Sequence, residues 1–113
     1  MPLDVGVFDE QYRYKKHLHI DKAIHGLLFK KLVTEEEYPS LGRAKDESED
    51  ITVTPAEIPA LVKDLTKLEK YLKKEKLMSP EVKVRCMEFV ATMKDICQVA
   101  KKDKKNVEFI AGE

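Results

Sequence analysis

The chain has no tryptophan, only four glycines and two cysteines, and no net charge. Each shortage removes a class of protein. The glycines stand at 6, 26, 42 and 112, too scattered to form a loop that cradles phosphate. Cys86 and Cys97 fall in one expected helix, roughly 16 Å apart along its axis at ~1.5 Å per residue. A disulfide tolerates only about 7 Å between Cα atoms. They read as reduced core thiols about three turns apart on one helix face. Basic and acidic residues number 21 each, so no overall field draws in nucleic acid, and nucleic acid is not an expected partner. No apolar run reaches the ~18 residues that span a bilayer. The opening Met-Pro-Leu-Asp-Val-Gly lacks the basic start and apolar middle of a signal peptide. The expectation is a cytoplasmic protein with no membrane partner.

What is present belongs to a folded domain. Of 113 residues, 42% are hydrophobic and 37% charged, a balance that buries a core under a heavily charged surface. One domain, residues 1–113, is expected. Leu3, Val5 and Val7 alternate as in a short strand. Tyr12 to His19 is ambiguous, because Lys15-Lys16 breaks the alternation; it reads as irregular or as a hairpin partner. Asp21 is a helix cap, and Ile24, Leu27, Leu28 and Leu32 follow at helical spacing to about Val33. Gly26 inside that helix implies a closely packed backbone or a local imperfection. Residues 34–51 turn acidic and read as a long, mobile surface loop.

Thr54-Pro55-Ala56-Glu57 combines a capping box with proline at the first helical position. Ile58, Leu61, Val62, Leu65, Leu68 and Leu72 carry that helix to about Lys74, with Pro59 expected to tighten or bend its start. Ser79-Pro80-Glu81 repeats the signal, and an apolar face from Val82 to Ala100 predicts a helix to about Lys102. The two helices should form an antiparallel hairpin. Val107, Phe109 and Ala111 predict a closing strand beside Leu3 to Phe8. The predicted class is α+β: three helices, including the long hairpin, packed on a small sheet of the N- and C-terminal strands.

One stretch carries a family resemblance. Asp21, Lys22, Ala23, His25, Gly26, Leu27 and Phe29 resemble the signature of the YfbM-like family of small bacterial and phage-borne proteins of unknown function. Ile24 stands where that family has Trp, and Leu28 where it has a second His. Thr52 to Ile58 is similar to the family's Thr/Ser-Pro-Glu-aliphatic segment before a helix. The resemblance implies an α+β domain of bacterial or phage origin and supplies no mechanism.

Two sets of residues could carry function. His17, His19, Asp21 and His25 hold every histidine of the chain near one strand-to-helix junction, a credible ligand set for zinc or another divalent cation. Against it, Asp21 serves as a cap and the histidines fit ordinary surface or partly buried roles. The second set is the acidic loop, with Glu35, Glu36, Glu37, Tyr38, Asp46 and Glu47 as candidate contacts for another protein. Tyr12, Tyr14, Tyr38 and Tyr71 could anchor an interface or belong to the core. Basic blocks at Lys70 to Lys76 and Lys101 to Lys105 offer a weaker nucleic-acid contact. No catalytic set is legible, so the expectation is a non-enzymatic binding module, with a metal-dependent protein as the alternative. Immunity, antitoxin or anti-defence roles are analogies from chain size. A homodimer stays open.

Overall fold

A computed structural model describes residues 3–45 and 49–111. The elements run β1 (Leu3–Phe8), β2 (Tyr14–Ile20), α1 (Lys22–Leu27), β3 (Ile51–Val53), α2 (Ile58–Lys74), α3 (Pro80–Asp103) and β4 (Val107–Ala111). The four strands form one antiparallel sheet in the order β2-β1-β4-β3, on which the α2–α3 hairpin packs. The fold is therefore α+β, as its residue pattern predicts.

Alternation explains the sheet. Leu3, Val5 and Val7 are fully buried, and the register sets Val5 opposite Leu18 on one side and Phe109 on the other. That face, packed against α3, is the core. Asp4, Gly6 and Phe8 point to the opposite face, together with Tyr14, His17 and His19 of β2. The sheet is wider than the two terminal strands. The ambiguous stretch is a strand, and its solvent-facing residues hid it. β3 adds three residues at the other edge.

Helix α1 begins where expected, with Asp21 Oδ1 accepting the Ile24 amide at 2.8 Å. It does not continue as α-helix to Val33, because residues Leu28–Leu32 form a π turn closed by the Val33 amide on the Leu28 carbonyl at 2.7 Å. The wider turn lets consecutive pairs, Ile24 with His25 and Leu28 with Phe29, face inward together. A methyl at Gly26 would meet nothing within 4 Å, so no backbone packs against it and the imperfect helix is the correct alternative.

The start of α2 is tightened. Pro55–Glu57 is a 3-10 turn, and Pro59 has no amide to give the Pro55 carbonyl, which the Ile58 amide takes instead. Glu57 Oε1 accepts both the backbone amide and the hydroxyl of Thr54, at 3.0 and 2.9 Å. Leu61, Leu65, Leu68 and Leu72 of α2 then pack with Cys86, Val90, Met93 and Cys97 of α3, all at most 1% exposed. Each such leucine contributes about 1.5–3 kcal/mol by leaving water. α3 stops at Lys104, which adopts φ 56°, while the Lys105 amide reaches back to the Ala100 carbonyl at 2.9 Å.

Residues 34–45 do not hang in solvent as their acidity suggests. Tyr38, Leu41 and Ala44 recur every third residue and are buried, at 3%, 0% and 1% exposure. Leu41–Lys45 is a 3-10 helix. The segment is fastened to α2 by the buried Asp64, whose Oδ2 accepts the Ser40 and Leu41 amides at 2.8 and 3.0 Å.

Candidate functional site

The three histidines divide between two environments. His17 and His19 stand on the open face of the sheet, where His17 Nε2 and His19 Nδ1 each lie 2.9 Å from Asp4 Oδ1. Burial pushes the Asp4 carboxyl up, but the hydrogen bonds and charges of His19 and His17 outweigh it and hold the group below its usual value. His25 is 1% exposed, beneath the 34–45 segment. Its Nε2 donates to the Ala44 carbonyl at 2.9 Å, and its ring stacks on Phe29 at 4.8 Å.

Asp21 is engaged as a cap and also pairs with Arg85. The Ile24 amide holds its carboxyl below the usual value against the opposing effect of burial, with Arg85 adding to the shift. The proposed ligand set of His17, His19, Asp21 and His25 is thus not assembled. Among the described residues no group of three or more His, Cys, Asp or Glu side chains is arranged to hold a metal ion.

A second feature of this open face was not legible in the sequence. Phe8 stacks on Tyr14 with ring centroids 4.6 Å apart, and Tyr14 on His17 at 4.3 Å. With Asp4 and His19 they form a ladder across β1 and β2. An antiparallel sheet commonly turns polar residues to solvent, yet here the solvated side carries stacked rings. Burial, then the charges of Asp4 and Asp50, pushes the Tyr14 hydroxyl above its usual value. At the hairpin tip Tyr12 has φ 60° and is 86% exposed. Asp9 makes that turn, its Oδ1 accepting the Gln11 and Arg13 amides at 2.8 and 3.0 Å. Tyr12, Phe8, Lys105, Asn106 and Glu108 line a hollow of about 280 Å³ beside the ladder.

The acidic candidates fare differently. Tyr38 belongs to the core. Glu35 pairs with Lys45 at 2.5 Å. Lys67 reaches the Glu37 carboxylate at 3.8 Å and its carbonyl at 2.9 Å while lying over the Tyr38 ring. Glu36 is exposed, and Asp46 and Glu47 lie outside the described residues. The first lysine block closes α2 at the turn of the hairpin and the second closes α3, so the length of α3, roughly 35 Å, separates them. Both cysteines are buried, and burial pushes the Cys97 thiol up to about 12, which keeps it from acting as a nucleophile near neutral pH.

Compared with family models, curated proteins and solved structures, the chain matches none. The likeness to the YfbM-like signature therefore rests on the residues of 21–29 and 52–58 alone.

Proposed function

We propose that this protein acts by binding another protein, with the tip of the β1–β2 hairpin and the adjoining open face of the sheet as its contact surface. The observation that carries the reading is Tyr12. A non-glycine residue held at positive φ costs on the order of 1 kcal/mol or more, and Tyr12 spends its ring on solvent in that conformation. Such a local choice against stability fits a residue kept for contact, and tyrosine is enriched among interface hot spots. The ladder of Phe8, Tyr14 and His17 extends the aromatic surface behind it. The internal partners of Glu35 and Glu37 favour this face over the acidic loop.

The test is a photo-crosslinking residue at Lys105, beside Tyr12 in the hollow, followed by affinity measurement with the purified captured partner. Tyr12→Asn removes the ring yet suits the left-handed backbone. It should weaken binding at least about tenfold while raising the thermal midpoint. Unchanged affinity in this variant refutes the reading.

A further inference from the structure

The open face of the sheet carries negative charge that no lysine or arginine balances. Asp4 of β1, Glu108 of β4 and Asp50 beside β3 bring carboxylates to it: the register sets Glu108 opposite Gly6, and the charge of Asp50 reaches the Tyr14 hydroxyl. Glu108 Oε1 accepts the Thr52 hydroxyl and Asp50 Oδ1 the Ala111 amide, both at 2.7 Å, neutral partners that leave each charge in place. The basic side chains around the face are engaged away from it. Lys15 and Lys16 pair with Asp103 and Asp95 of α3, Arg13 with Asp9 in the turn, and Arg43 with Glu57. Lys105 stands at the margin, in the hollow beside Tyr12. Among the described residues, the only ion-pair partners of these carboxylates are His17 and His19, both on Asp4 Oδ1.

Resting on the contact surface proposed above, we infer that the protein bound there meets it with arginine or lysine side chains, and that protonation of His17 and His19 releases it. Unbalanced carboxylates select a cationic partner. The rings favour arginine, whose planar guanidinium stacks on an aromatic while its N–H fork binds a carboxylate. Phe8 and Glu108 line one hollow, so both halves of that recognition lie together. The histidines set the response to pH, because histidine is the side chain whose charge ordinarily changes between about pH 5 and 8. With both rings neutral, Asp4, Glu108 and Asp50 act unopposed. Protonation sets two positive charges among them and ties Asp4 into charge-assisted bonds with its two imidazoles. From the helix side His19 is faced by Asp21, Arg85 and Glu88; the first two pair with each other, so Glu88 adds a further carboxylate. Carboxylates ordinarily titrate near about 4, below this interval, and the Tyr14 hydroxyl, pushed above its usual value by burial, stays neutral across it. The imidazoles alone respond, and affinity for a basic partner falls as the pH falls.

Octa-arginine is the probe, titrated into the full chain at low salt and followed by backbone and imidazole NMR at about pH 7.5 and about pH 5.5. Shifts are expected at Asp4, His17, His19 and Glu108, with affinity at least about fivefold weaker at the lower pH. Replacing both histidines, His17→Asn with His19→Asn, should cut that pH effect to less than about twofold, and Asp4→Asn should weaken binding at the higher pH. The inference fails if the shifts centre on residues 35–37 or on Glu81 and Glu88 of α3, or if the unsubstituted chain binds equally well at both pH values. It fails equally if the pH effect survives loss of both histidines or if Asp4→Asn is without effect. Amide spectra of the unbound variants confirm that they are folded. If octa-arginine passes over this face while Tyr12→Asn still weakens the captured partner, the basic chemistry assigned to the partner falls and the contact surface stands.

Discussion

The ring of Tyr14 fills the space that a side chain at residue 6 would need. A methyl on Gly6 would lie 2.5 Å from Tyr14 Cδ1 and 2.6 Å from the Lys16 carbonyl oxygen. The glycine in β1 is thus a seat for the aromatic ladder, and an aromatic laid over it recovers packing that a bare strand position loses.

Gly6→Ala should destabilise the protein by about 1–3 kcal/mol, since part of the clash is with backbone that cannot rotate away. Denaturant unfolding reads the loss, and the near-ultraviolet dichroism of the tyrosines should fall as the stack with Phe8 and His17 opens. An unaltered spectrum with unaltered stability would show that the ring does not rest there.

Asp64 is the most informative residue of α2. Replacing it by alanine leaves the Ser40 and Leu41 amides without their acceptor, and the cost should be about 2–4 kcal/mol. Asp64→Asn, which keeps an acceptor oxygen, should cost less. Hydrogen exchange adds a local readout: the Leu41 amide should lose protection in Asp64→Ala before the amides of α3 do.

Acid should weaken the fold in a defined sense. The Arg13 amide holds the Asp9 carboxyl below its usual value, as the Ile24 amide does for Asp21 and the Thr54 amide for Glu57. Each folded-state value is depressed, so the unfolded chain binds protons first. The stabilisation is complete above the unfolded values, about 4, and is lost as pH falls through the folded ones. Denaturant midpoints should stay level from pH 7 to about 5 and then drop. In Asp21→Asn, which still caps but does not titrate, the drop should be shallower.

The helices were legible because their signals are local. Asp21, Thr54 to Glu57 and Ser79-Pro80 act within a turn of themselves, and a 3.6-residue apolar line follows the last two, whereas the line after Asp21 passes into the π turn of Leu28–Leu32. β2 was obscured because it is an edge strand whose first five residues, Tyr14 to Leu18, include none that is fully buried. The packing of Tyr38, Leu41 and Ala44 was masked by the surrounding glutamates, although their threefold spacing was a usable clue. So was Asp64, a carboxylate set among Leu61, Leu65 and Leu68. That His17 and His19 share a face follows from the two-residue period of a strand. That Asp4 joins them does not, since only the register of β1 against β2 brings together residues thirteen and fifteen apart.

Sheet order also imposes a schedule. β4 lies between β1 and β3, so the middle of the sheet is filled by the strand that leaves the ribosome last among the four. The β1–β2 hairpin can close early by local pairing, and the α2–α3 hairpin likewise, but β1 keeps a bare hydrogen-bonding edge until a segment about a hundred residues downstream arrives. During synthesis that edge is where a nascent chain would be most exposed to pairing with a neighbour, and docking of β4 ends the exposure in a single step.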